Sequence, residues 1–176
     1  MSMATRPAYK TDEWMQLETR LKDLDNGGKI DSGILDLVVV LNLLGIHTIS
    51  SCEGHLHERL TPAPGSHVLN NVWSVDRPIA GQGRTDYPYV DLEMEGVWKL
   101  QTLLEKFYAP DPFFNDYELG IVLHAHGYAT LKNVNAPGVS DGQESELEDY
   151  QKEFRSFTTW VKRRWQQLRE ELHGEE

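Results

Sequence analysis

Residues 45–57 read Gly-Ile-His-Thr-Ile-Ser-Ser-Cys-Glu-Gly-His-Leu-His and hold the one cysteine and three of the seven histidines of the chain. The β-branched residues Ile46, Thr48 and Ile49 favour an extended strand. Ser50 and Glu53, three apart, have the form of a capping box, in which each side chain satisfies an orphan backbone donor of the other. The stretch is therefore expected to run strand, turn, short helix. On that reading Cys52 lies in the first helical turn, where the positive end of the helix dipole favours a thiolate, and His55 shares its face. Such a segment suits an α+β fold with its site at the carboxyl end of a strand, where open sheets place their ligands.

Gly45, Thr48, Ser51, Cys52, Gly54 and His55 resemble the Gly-x-x-Thr-x-x-Ser-Cys-x-Gly-His signature of small, mostly uncharacterised bacterial and phage proteins. More distantly, residues 50–55 are similar to the Ser-Ser-Cys-Ser-Gly-Arg segment of wybutosine-synthesis tRNA methyltransferases. The resemblance implies an α+β arrangement and a functional loop. Glu53 replaces serine and His55 replaces arginine, which removes a group suited to a phosphate or a cofactor carboxylate. The tRNA substrate and S-adenosylmethionine are accordingly not carried over.

Upstream of this stretch, Asp31 or Ser32 is expected to cap a helix in which Ile34, Leu35, Leu37, Val38, Val39, Val40, Leu41, Leu43 and Leu44 leave almost no polar face. A helix apolar all round is a buried one, so this should be the central element. Before it, Trp14, Leu17, Leu21 and Leu24 recur three and four apart after Thr11, and Asn26-Gly27-Gly28 ends that helix. Residues 1–10 are polar, carry Pro7 and read as a flexible N-terminal arm.

Downstream, Leu60 to Tyr87 breaks all periodicity with Pro62, Pro64, Gly65, Pro78, Gly81 and Gly83 and reads as a loop insertion over 60–87. Trp73 would anchor either a flap over the cysteine site or a surface insertion. Residues 89–95 alternate, with Val90, Leu92 and Met94 expected to face a core and Tyr89, Asp91, Glu93 and Glu95 to face away. Gly96 begins a helix with Trp98, Leu100, Leu103, Leu104 and Phe107 on its apolar surface, closed by Pro110-Asp111-Pro112. Tyr117 to His126 alternates again, placing Leu119, Ile121, Leu123 and Ala125 on one face and Val122, His124 and His126 on the other, and a shorter strand follows at 128–131. Strand, helix, strand at this spacing suggests a right-handed crossover with 89–95 parallel to 117–126. The expected fold is α+β, a small mixed, mainly parallel sheet with helices packed on it. The domain spans 11–142, and a long amphipathic helix over 143–173 packs on it or on a partner. At about 30 residues that helix would reach about 45 Å, longer than a domain of this size is wide.

At 176 residues with 39% apolar content, the chain is long enough for one domain with a proper core. A formal charge of −11 argues against a non-specific nucleic-acid binder and against attraction to an anionic membrane. One cysteine allows no intramolecular disulfide, residues 1–10 show no signal peptide, and no apolar run approaches the ~20 residues of a membrane span. A reducing, cytoplasmic setting is expected.

Cys52, His55 and His57 form Cys-x-x-His-x-His, and His124 and His126 would share a strand face, so zinc would accept ligands from these five. Solvated histidines and a packed cysteine are the bland alternative. A second reading makes Cys52 a nucleophile with His55 as base, and Ser51, Glu53, Gly54 and Trp73 as binding residues. Asp91, Glu93 and Glu95 could complete a metal site beside His124 and His126 if their strands are neighbours; a solvated face, which a sheet covered on one side requires, is the preferred reading. Lys162-Arg163-Arg164 with Trp160, Trp165 and Arg169 is the sole basic patch, and its charges read as partners of nearby Glu153, Glu170 and Glu171. The leading expectation is a small cytosolic enzyme, metal-assisted or not, acting on a small molecule or nucleotide. The rival is a non-catalytic binding or assembly protein that forms a homodimer through its C-terminal helix.

Overall fold

The computed structural model describes residues 7–24, 30–57, 84–109, 118–136 and 144–174. Among the described residues there are four α-helices: α1 (Asp12–Leu24), α2 (Ser32–Leu43), α3 (Val97–Tyr108) and α4 (Glu144–His173). The strands are β1 (Thr48–Cys52), β2 (His55–His57), β3 (Arg84–Asp86), β4 (Tyr89–Glu93), β5 (Leu119–His124) and β6 (Tyr128–Asn133). Strands β1, β4, β6 and β5, in that order, form one sheet in which every neighbouring pair is antiparallel, and β2 pairs antiparallel with β3.

The fold is thus α+β, but the expected mainly parallel sheet is wrong. Strands β4 and β5 do run in the same direction, yet both are bonded to β6, which lies between them. The reason is the tight return after His124. Gly127 adopts φ +84°, a conformation few side chains tolerate, and its N–H closes on the His124 carbonyl at 3.1 Å. That turn sends β6 straight back along β5, and a hairpin partner takes the position beside β4 before a parallel neighbour can. His126 therefore sits exposed in the turn, not on a strand face with His124.

The apolar alternation is otherwise as expected from the residues. Val90, Leu92, Leu119, Ala129 and Leu131 are buried on one face and join Leu37, Val40, Leu41, Leu103, Phe157 and Val161 in a single core. Met94 departs from the pattern: the strand ends at Glu93, a 3₁₀ turn takes Met94–Gly96, and Met94 is exposed. Leu123, near the end of the edge strand β5, is exposed too. α2 is buried around its circumference, through Ile34, Leu37, Val38, Val39, Val40, Leu41 and Leu43, as its uniformly apolar sequence requires.

α4 explains how so long a stripe is covered. Leu147, Phe154, Phe157, Val161, Trp165, Leu168 and Leu172 are all buried against the chain's own helices and sheet. The apolar surface that would have motivated a homodimer through this helix is therefore internal. Tyr108 ties α3, α4 and β5 together, donating to Glu153 at 2.8 Å and accepting the Leu119 N–H at 2.9 Å. Burial, with the Glu153 carboxylate beside it, pushes its phenol well above the ordinary tyrosine range.

Residues 7–10, expected in the N-terminal arm, pack on the fold. Tyr9 packs edge-on against Trp14 with centroids 5.2 Å apart, lies under the Lys162 ammonium, and accepts the Trp165 indole N–H on its carbonyl at 3.0 Å. Aromatic area and a satisfied indole hold residues 7–10 in the fold; residues 1–6 lie outside the described residues. So do 58–83, which include Trp73, while the last part of the expected loop, Arg84–Asp86, is strand β3. Among the described residues no helix is long and apolar enough to cross a membrane.

Candidate functional site on the open face of the sheet

Ser50 to Cys52 belong to β1, so the expected short helix after Ser50 is absent and Cys52 does not sit in a first helical turn. Extended backbone wins because Ser50, Ser51 and Cys52 pair in register with Asp91, Val90 and Tyr89, supplying ladder bonds that an isolated helical turn could not match. The supposed capping box is real chemistry at another address. The Glu53 carboxylate accepts the Gly33 N–H at 2.7 Å, in the first turn of α2, and the Glu53 N–H donates to the Asp31 carboxylate at 3.0 Å. Glu53 thus places its negative charge at the positive end of the central helix from twenty residues away.

Gln151 of α4 donates to the carbonyls of both Glu53 and Gly54, at 3.2 and 3.1 Å, so this turn is held from two sides. A Cβ at Gly33 would stand 2.0 Å from Glu53 Oε2. Gly33→Ala must therefore expel the carboxylate. Loss of a cap costs roughly 0.5–2 kcal/mol, while alanine in place of a helical glycine returns up to about 1 kcal/mol. With the full alanine gain, a net destabilisation of up to about 1 kcal/mol is expected in urea titrations. In a Glu53→Ala background the same substitution should be neutral or stabilising; a persisting loss there would refute the contact as the cause.

β1 carries a bulge between Thr48 and Ser50 that leaves Ile49 out of register and 59% exposed. The extra residue changes the phase of the strand. Thr48 pairs with Leu92 on the helix side, where its hydroxyl accepts from Asn42 of α2 at 2.8 Å, while Ser50 pairs with Asp91 on the opposite, open face. There a row of polar side chains crosses all four strands. Ser50 Oγ donates to Asp91 Oδ2 at 2.6 Å, Thr130 Oγ1 donates to Asp91 Oδ1 at 2.5 Å, and His124 Nε2 lies 2.8 Å from Thr130 Oγ1. Tyr128 stacks on the His124 ring at 4.3 Å and 12°.

The row settles a tautomer. The one hydroxyl proton of Thr130 is committed to Asp91, so Thr130 can meet His124 only as an acceptor, and Nε2 must carry the proton. Neutral His124 then keeps Nδ1 as its acceptor, and the stacked Tyr128 fixes the ring plane. An imidazole with assigned proton, fixed plane and a carboxylate behind its partner is equipped to take or give a proton at one defined nitrogen.

The other sequence candidates are distributed differently. Register places Cys52 on this same open face beside Tyr89, half-buried, with its sulfur accepting the Gly54 N–H at 3.3 Å. Cys52 and His124 lie three strands apart and four residues out of row, a separation of roughly 20 Å from strand spacing and rise. They do not converge. Ser51 is turned to the opposite face with Val90, Glu95 is in the 3₁₀ turn, and Glu93 sits across from Tyr128. His55 and His57 form β2, paired with Asp86 and Arg84, and their side chains fall outside the described residues, as does Trp73. Among the described residues no three of His, Cys, Asp or Glu are grouped as ligands to one metal ion.

Sequence reasoning missed Ser50, Thr130 and Tyr128. The available signal was their parity: on their strands each falls on the polar side of an alternation, opposite a residue that needs a partner. Asp91 and His124 were expected to meet only if their strands adjoined; β6 separates those strands, and Thr130 bridges the gap. No protein-family model, no curated protein and no solved structure matches the chain.

Proposed function

We propose that this protein is an enzyme acting on a small molecule bound on the open face of the sheet, with His124 as general acid–base and Thr130 and Asp91 as the groups that orient it. The continuous row Ser50–Asp91–Thr130–His124 carries the reading. A solvated carboxylate on an open sheet needs no partners, whereas Asp91 commits both oxygens to hydroxyl donors, and Thr130 is buried in making the second bond. That arrangement spends side-chain freedom to hold one histidine in one protonation pattern. Asp91 and Glu93, two strands from His124 on this same face, make that side acidic, so the substrate is neutral or cationic at the reacting end.

Chemical-shift mapping with a panel of uncharged and cationic metabolites tests this. Binders should perturb the amides of His124, Tyr128 and Thr130. Turnover of any of them should fall by about 10²–10⁴-fold in His124→Gln while binding persists, the usual contribution of a positioned acid–base group. Binders that cluster elsewhere, or turnover indifferent to His124→Gln, would refute the assignment.

A further inference from the structure

The helical side carries a recess that the sheet-face reading does not use. An open groove of about 550 Å³ lies between α1, the turn after α2 and the last turns of α4. Its volume is within the range of small-molecule sites, about 300–1,000 Å³. In a chain of net charge −11 it brings together Arg20, Arg169, His47 and His173, and Glu13 is the one carboxylate among its described lining residues. Behind Gly45, and not itself a lining residue, is Lys99: a Cβ on Gly45 would stand 3.2 Å from its ammonium, and the residue is only 8% exposed.

We infer that this groove binds a small phosphorylated sugar or polyol. Two guanidinium groups present planar forks that match phosphate oxygens, and each is more weakly hydrated than an ammonium, so exchange of water for phosphate costs less. Gln16 and the two imidazoles supply donors and acceptors for hydroxyl groups. The described lining residues include no phenylalanine, tyrosine or tryptophan on which a nucleobase would stack. Glu13 sets the threshold for occupancy. Arg169 Nη1 donates to both of its carboxylate oxygens at 2.8 Å, so an incoming phosphate competes with Glu13 for Arg169 while Arg20 receives it directly.

The test uses the full chain and ¹H–¹⁵N spectra. Glucose 6-phosphate should shift the amides of Gly45 and His47, and glucose, inorganic phosphate and AMP should bind more weakly. Arg20→Ala, an exposed position, should weaken glucose 6-phosphate by about tenfold. Glu13→Gln should tighten it several-fold by releasing Arg169, a gain that a merely structural Glu13–Arg169 pair would not produce. Absence of shifts at Gly45 and His47, or affinity unmoved by both substitutions in variants whose thermal unfolding matches the parent, would overturn the site. AMP or inorganic phosphate binding as tightly as glucose 6-phosphate would overturn the ligand class.

Discussion

A chain ending at Thr158 is expected not to fold. It lacks Val161, Trp165, Leu168 and Leu172, each at most 3% exposed. At about 1.5–3 kcal/mol for each buried side chain, the loss is roughly 6–12 kcal/mol, against a net stability of about 5–15 kcal/mol for a domain. The deletion also removes the Trp165 indole that holds the Tyr9 carbonyl and the Lys162 ammonium that meets Asp36 at 3.0 Å. It uncovers α2, which has almost no polar face to present to water. The truncated chain should show no near-ultraviolet circular dichroism, bind a hydrophobic dye and aggregate. A cooperative urea transition in that chain would show that α4 beyond Thr158 is an attachment and not half of the core.

Replacing Glu18 is expected to cost about 3 kcal/mol, the low end for breaking a buried ion pair. Glu18 is 7% exposed. One of its oxygens accepts the Trp14 indole at 3.2 Å and Lys10 at 2.8 Å; the other accepts Lys22 at 2.6 Å. Lys22 is 56% exposed and adds little. The cost in Glu18→Ala comes chiefly from Trp14, fully buried, whose indole N–H would lose its acceptor. The same group makes stability depend on pH. Burial acts to raise the Glu18 carboxyl, but the hydrogen bonds from Lys10 and Lys22 outweigh it and hold the group below its ordinary 4.5.

A carboxyl depressed on folding stabilises the folded chain fully above its unfolded value, and that contribution is lost as pH falls through the folded value. The urea midpoint of the wild type should therefore approach that of Glu18→Gln as pH drops below 4.5. A difference that stays constant into acid would mean that the carboxylate's charge contributes nothing. On the alkaline side, burial alone would lower Lys10, but Glu18 raises it, so its share persists below its ordinary 10.5 and fades above.

The sequence alone determined the layers and left the arrangement between them open. Helical spacing of apolar residues placed α1, α2, α3 and α4 within a residue or two, because period and caps are properties of the local chain. The uniformly apolar α2 could only be a central helix, and the alternation of Val90 and Leu92 against Tyr89 and Asp91 could only be a strand covered on one side. Strand order was not local information. Whether β5 or β6 lies beside β4 depends on a turn at Gly127 and on long-range pairing, so the sheet was expected parallel and is antiparallel. The stretch at 50–53 misled for a related reason. Ser50 and Glu53 have the residue types of a cap, but the donor Glu53 satisfies belongs to Gly33, and Ser50 serves Asp91 on another strand. Side-chain chemistry could be read from the residues; its partners became definite only once the tertiary structure had set the register.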